Sequence, residues 1–331
     1  MESRIADLLS FCSLIDFGAV NLCREEKAFR GELNREIVSL CECLPKSMQT
    51  DAALFLVKYL RTSFNGDLNF VDYFYVPAWS ILFWLHQSCA DNRKLDPNYV
   101  KDAKTGHAMA MFLHAFDDHL TDGQLPVTHL ALLMRTQSWM MMNRAFERLA
   151  KGVPRGAAIV CDFIGDYYSS IGRSDETESL DSYCAVFRKQ MATWLIVPVL
   201  MAKRIYADEK FARSVHAVYS SFGIAWRLLD DLQDIETDMI KGIHSSIYSC
   251  LPDEIRKEWD RVKQEKANGN GGSAGQVLNY VLVSGIIDRI RQRICSELES
   301  AASRADSCDM AGFADELRCL LKPLRNGENH S

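Results

Sequence analysis

Three aspartates spaced four residues apart constrain this chain more than any other feature. In Arg227-Leu-Leu-Asp-Asp-Leu-Gln-Asp-Ile-Glu-Thr-Asp238, residues Asp230, Asp234 and Asp238 fall at i, i+4 and i+8. On a helix they stack along one face, with neighbours ~6 Å apart. Like charges at that spacing repel, so the stripe weakens its own helix unless a cation lies on it. Hard divalent ions suit the arrangement, and Mg²⁺ takes one or two carboxylates together with phosphate oxygens.

A second acidic group, Asp117-Asp118-His-Leu-Thr-Asp122, lies far upstream. A lone acidic run is usually a solvated helix face, but the flanks here are apolar. Ala108-Met-Ala-Met-Phe-Leu-His-Ala-Phe116 precedes one cluster and Ser221-Phe-Gly-Ile-Ala-Trp-Arg-Leu-Leu229 the other. Carboxylates at the ends of apolar helices are rarely buried unless paired or metal-bound. Two such placements favour metal ligation, and two clusters face to face would clamp a diphosphate between ions. In the first cluster, either Asp117 and Asp118 lead with Thr121 in place of a third acid, or Asp118 and Asp122 form an i, i+4 pair. Geometry favours the second.

Composition narrows the partners. The 331 residues are 48% hydrophobic and 25% charged, ordinary for a globular protein. A net charge of −6 supplies no basic stripe for a nucleic-acid backbone, so none is expected as partner. An anionic substrate remains compatible if metal ions mediate the contact. The 11 cysteines include no Cys-x-x-Cys pair, and Cys41-Glu-Cys43 does not have zinc-site spacing. With no basic-then-apolar leader at Met1-Glu-Ser-Arg, they read as reduced cysteines of a cytoplasmic protein. No apolar run reaches the ~18 residues that a membrane span needs.

The organisation reads as all-α, a large bundle of about ten or more helices in one domain over residues 1–331. Apolar residues keep helical spacing, as at Leu130, Leu133, Trp139, Met142, Phe146 and Leu149, and no period-2 run stands out. Pro45, Pro77, Pro97, Pro126, Pro154, Pro252 and Pro323 read as helix starts or turns, with Pro198 the exception. Residues 263–275 are glycine-rich but lack Gly-x-Gly-x-x-Gly spacing, so they read as a flexible surface loop. The tail, residues 326–331, is expected to fray.

These motifs resemble the isoprenoid synthase superfamily, specifically trans-isoprenyl diphosphate synthases and the terpene cyclases derived from them. Ala225-Trp-Arg-Leu-Leu-Asp-Asp-Leu-Gln-Asp234 is similar to the second aspartate motif, Lys241-Gly242 to the loop after it, and Arg188-Lys189 to the lysine helix before it. The resemblance covers residues 105–252 well and the first hundred poorly. It implies Mg²⁺, three ions, held by Asp118, Asp122, Asp230, Asp234 and Asp238. Asp117, Asp118, Asp122, Asp230 and Asp234 would be catalytic, and Arg188, Lys189, Arg227 and Lys241 would hold the diphosphate. The arginine pair expected after the first motif is replaced by Gly123-Gln124, and no early Gly-Lys-x-x-Arg occurs. Without those cations the implied enzyme is a class I terpene synthase, a lyase consuming one substrate, farnesyl or geranylgeranyl diphosphate. Squalene or phytoene synthase-like, chain-elongating and inactive-subunit readings stay open, as does homodimerisation.

The chemistry supports the same residues. Breaking an allylic C–O bond needs the leaving diphosphate neutralised by metal and by preorganised cations. The carbocation must be kept from water among aromatic faces. Trp79, Phe112 and Trp226 are the expected pocket lining, although aromatic stripes in all-α proteins are more often core. His114 and His119 read as hydrogen-bonding neighbours, since no convergent set of further ligands suggests zinc.

Overall fold

The computed structural model describes residues 2–63, 68–89, 95–171, 177–267 and 272–326. Among them the helical periodicity is realised as sixteen α-helices with no strand. In chain order these are α1 (Glu2–Leu14), α2 (Arg24–Val38), α3 (Lys46–Tyr59), α4 (Pro77–Gln87), α5 (Pro97–Thr121), α6 (His129–Lys151), α7 (Gly156–Ile171) and α8 (Leu180–Gln190). They continue as α9 (Ala192–Tyr206), α10 (Glu209–Gln233), α11 (Ile235–Lys241), α12 (Ser246–Cys250), α13 (Asp253–Ala267), α14 (Gly272–Ser284), α15 (Ile286–Asp306) and α16 (Ala311–Asn326).

The starts follow local chemistry. Pro77 and Pro97 occupy first turns, where a missing N–H costs nothing. Asp96, Thr128, Ser179 and Asp208 cap α5, α6, α8 and α10 by accepting from free backbone N–H groups. The longest helices, α5 and α10, each run 25 residues and form the frame of the bundle.

The centre is α9. Every residue of it except Arg204 and Tyr206 is buried, matching a helix that is apolar all round. It packs against α4, α5, α6, α7 and α10, which spaces the two frame helices apart. Truncating its fully buried Trp194 to Ala would cost about 3–5 kcal/mol. No single helix among the described residues is long and apolar enough to cross a membrane. The apolar pair α8–α9 is bent by 65°, and α9 is enclosed by its neighbours.

Three sequence expectations change. Residues 263–267 continue α13 and residues 272–275 begin α14, so the glycine-rich stretch is mostly helix; residues 268–271 lie outside the described part. Pro323 sits inside α16, and Arg325 there pairs with Glu299 on α15. Arg325 and Asn326 thus belong to a docked helix, while residues 327–331 fall outside the described part.

The segment after α1 is held on α16 by a close approach. Gly18 donates its N–H to Leu320 O at 3.1 Å, and a Cβ there would stand 2.0 Å from Cys319 O. Backbone cannot swing aside as a side chain can. Gly18→Ala should therefore destabilise by about 1–3 kcal/mol in denaturant titration. Gly31→Ala, in α2 with open space around it, should leave stability unchanged or raise it by about 0.5–1 kcal/mol.

Candidate active site

Two helix C-termini meet here. The last turns of α5 and α10, together with α11, line one cleft of about 640 Å³. Asp118 comes from the last turn of α5 and Asp122 is its C-terminal cap. Asp230 comes from the last turn of α10, Asp234 caps it, and Asp238 follows on α11. The carboxylate stripe is therefore not on one helix. Asp234 marks a break, yet Asp234 N donates to Asp230 O at 3.0 Å and Asp238 N to Asp234 O at 2.8 Å, which keeps the four-residue phase. All five carboxylates line the cleft. Helix C-termini carry partial negative charge, so Asp118, Asp122 and Asp230 add to a potential already unfavourable to them, whereas Asp234 and Asp238 also lie at the N-terminal end of α11.

Burial pushes Asp230 up to about 6 and Asp238 up to about 8, and enclosure also raises Asp118 and Asp234. Neighbouring carboxylates add to the rise in each case, while Arg227 opposes it. Among the described residues no three His, Cys, Asp or Glu side chains converge tightly enough to hold an ion alone. Mg²⁺ characteristically keeps waters and takes substrate phosphate oxygens beside one or two carboxylates. The donor set is all hard oxygen, and its charge is under-compensated, so a divalent cation suits it.

Two cations sit among the acids. Lys241 Nζ reaches Asp122 Oδ2 at 3.3 Å, tying the second motif's loop to the first motif. The turn is made by Gly242 in the left-handed region, φ +71°. Arg227 approaches Asp230 at 3.3 Å and Asp231 at 3.0 Å, and donates from Nε to the Tyr183 hydroxyl at 2.9 Å. Asp231 is buried and accepts from Ser246 N–H at 2.9 Å. The paired aspartates of the motif thus divide: Asp230 faces the cleft, and Asp231 holds Arg227 and the start of α12.

One turn below the carboxylates the cleft is floored by rings. His114 precedes Asp118 by four residues and Trp226 precedes Asp230 by four, and their rings lie 5.9 Å apart between centroids. Phe74, also lining the cleft, lies 5.5 Å from Trp226, and Trp194 of α9 closes the base at 4.6 Å from His114. Tyr73 and His119, joined at 2.8 Å, stand at the rim.

Several expected site residues lie elsewhere. Asp117 turns to α6, where Arg135 binds both its oxygens at 2.7 and 2.8 Å. Arg188 pairs with Glu297 at 3.3 Å and Lys189 with Asp166 at 3.6 Å, and neither lines the cleft. Trp79 is 1% exposed in the core. Phe112 is buried against Phe116 and Phe70, with centroids at 5.1 and 5.5 Å, and does not reach the cleft either. Both rings serve packing.

The sequence reading missed a basic seat next door. A second pocket of about 680 Å³ shares Asp72, Tyr73, His119 and Gln124 with the acidic cleft and adds Lys58 and Arg61. Neither cation has an ion pair among the described residues, and Arg61 is held at φ +51° past the end of α3. The signal was present as Lys58-x-x-Arg61, which has the spacing of the Gly-Lys-x-x-Arg signature sought in the sequence but lacks its leading glycine. The segment after α1 borders the cleft as well: Gln233 donates to Ile15 O at 2.7 Å, and the Tyr75 hydroxyl donates to Asp16.

No protein-family model matches the chain, and no curated relative matches it. Solved structures do. A polyprenyl synthase from Caulobacter crescentus CB15, complexed with calcium and isoprenyl diphosphate, aligns with a TM-score of 0.66 at 13% identity over 92% of this chain and 98% of that one. A heptaprenyl diphosphate synthase from Staphylococcus aureus gives 0.64 at 10% identity over 90% and 98%. A geranylgeranyl pyrophosphate synthetase from Pyrococcus horikoshii gives 0.60 at 11% over 95% and 98%. The alignments cover 90–95% of this chain, well beyond residues 105–252 where the motifs lie. At such identities the likeness is one of architecture: this chain has the all-α fold of the class I isoprenoid synthases, in the form taken by the trans-isoprenyl diphosphate synthases.

Proposed function

We propose that this protein is a divalent-metal-dependent prenyltransferase, ionising an allylic diphosphate in the acidic cleft and joining the prenyl cation to a second prenyl diphosphate. The basic pocket at Lys58 and Arg61, contiguous with the acidic cleft, carries this reading over the one-substrate lyase implied by the sequence. The fold neighbours, named as prenyl diphosphate synthases, support the same reaction class. Two of them were solved with isoprenyl diphosphate and a divalent ion, calcium in one and magnesium in the other.

Asp118 and Asp122 on one wall and Asp230, Asp234 and Asp238 on the other would hold Mg²⁺, which supplies Lewis-acid neutralisation of the leaving diphosphate. Arg227 and Lys241 exchange their carboxylate contacts for diphosphate oxygens as the C–O bond breaks. The Trp226 and Phe74 rings below offer their faces to the allylic cation and keep water from it. Lys58 and Arg61 seat the acceptor's diphosphate so that its alkene meets the cation. A second reading, the single-substrate cyclase, is favoured by Gly123-Gln124 standing where an arginine pair would be. Farnesyl and geranylgeranyl diphosphates are substrates to test under both.

Three outcomes check this. Asp118→Ala and Asp230→Ala should each cut Mg²⁺-dependent turnover at least ~10³-fold with thermal midpoints unchanged or raised. If either variant unfolds, its carboxylate is structural and the metal assignment is wrong.

Lys58→Ala and Arg61→Ala should raise KM for isopentenyl diphosphate at least ~10-fold and leave KM for the allylic substrate unchanged. A cyclase would give equal products with and without isopentenyl diphosphate, and these variants would not alter it.

The third outcome is a pH dependence of stability. Asp230 and Asp238 hold protons more tightly folded than unfolded, at about 6 and about 8 against an ordinary 3.8. This contribution to stability is therefore full below the ordinary value and lost as pH rises through those two values. The thermal midpoint of metal-free protein should fall from pH 5 to pH 8.5, and Asp238→Asn should flatten the upper part. Mg²⁺ with inorganic pyrophosphate should restore more at pH 8 than at pH 5.

A further inference from the structure

One group on the cleft floor has no part in holding metal or diphosphate. His114 lines the cleft one turn below Asp118. Four rings enclose its imidazole: Trp194 at 4.6 Å between centroids, Trp226 at 5.9 Å, Phe187 at 6.4 Å and Phe74 at 6.5 Å. Neither ring nitrogen has a hydrogen-bond partner among the described residues. Other histidines are engaged: His107 with Ala78 O at 2.8 Å, His119 with Tyr73 at 2.8 Å and His244 with Asp260 at 2.8 Å. Burial, reinforced by Arg227, pushes the His114 imidazole down to about 3, so it stands neutral with a free lone pair.

We infer that His114 is the base that ends the reaction, accepting the proton whose loss turns the final carbocation into an alkene. The inference rests on the reading that this cleft ionises an allylic diphosphate. The floor offers no comparable acceptor. Trp194 and Trp226 carry only N–H donors, Phe74 and Phe187 carry none, and the carboxylates above belong to the metals. The balance is simple. The C–O electrons leave with the diphosphate, and the allylic cation takes the acceptor's π electrons to form the new C–C bond. The resulting tertiary cation then loses a proton from an adjacent carbon to a His114 ring nitrogen, and the C–H electrons become the new double bond. The imidazolium, disfavoured by burial and by Arg227, passes its proton on to the diphosphate released one turn above. A weak base suffices because a proton next to a tertiary carbocation is very strongly acidic.

The test replaces the base and keeps the ring: His114→Phe, with His114→Gln as the second variant. Each folded variant is incubated with Mg²⁺, isopentenyl diphosphate and dimethylallyl, geranyl or farnesyl diphosphate. Released diphosphate and organic products are measured separately, beside wild type. Diphosphate release should stay within about threefold of wild type while alkene product falls ~10²-fold, with water-captured alcohols in its place. A merely structural histidine would lower both readouts together. Wild-type alkene yield from either folded variant would overturn the inference and assign proton removal to the diphosphate itself. Wild-type protein that releases no diphosphate from any of these substrates would overturn the reading of the cleft, and the base with it.

Discussion

Convergence of two helix C-termini on one small volume is the constraint around which this structure is arranged. α5 and α10 each bring a negative dipole end, and each carries carboxylates in or just past its last turn. Salt screens little of this inside a half-enclosed cleft. The protein's own relief is partial: Lys241 against Asp122 and Arg227 against Asp230. Asp238 is left holding its proton well above the ordinary range. Folding energy from the rest of the chain sustains an arrangement that the site's charges oppose, and a bound cation would relieve it.

That energy comes from the packing which also sets the spacing. α9 lies between the frame helices as an apolar cylinder, and Trp194 from it seals the cleft base. Because rings rather than aliphatic chains meet there, the floor presents electron-rich faces. Gly223 in α10 leaves space filled by the end of the Met191 side chain, whose Cε a Cβ there would meet at 2.2 Å. The same contact surface therefore fixes the carboxylate separation above and the character of the floor below.

At the rim the first seventy-odd residues decide what the cleft can accept. The Ile15–Phe17 segment caps one side through Gln233 and Tyr75, and Phe17 packs on Tyr75 at 4.7 Å. The end of α3 supplies Lys58 and Arg61 on the other side. Sequence resemblance is weakest in this region, although the fold neighbours cover 92–95% of the chain. The pocket that Lys58 and Arg61 line there is what the proposed two-substrate reaction rests on.

Local rules sufficed for much of this. Helical periodicity made the class legible, and the i, i+4 spacing identified Asp118, Asp122, Asp230, Asp234 and Asp238 as neighbours on a face, because side-chain phase along a helix is a local property. Which way that face turned was not local. Asp117 and Asp118 differ by about 100° of helix rotation, and Arg135, on a different helix, took the first and left the second to the cleft. Arg188 and Lys189 were lost to Glu297 and Asp166, partners that no spacing rule links to them. Lys58 and Arg61 became part of the site only because the bundle folds α3 back beside α5. Sequence by itself determined the helices and the acidic phase; tertiary packing decided which charges meet, since ion pairing depends on distance in space and not along the chain.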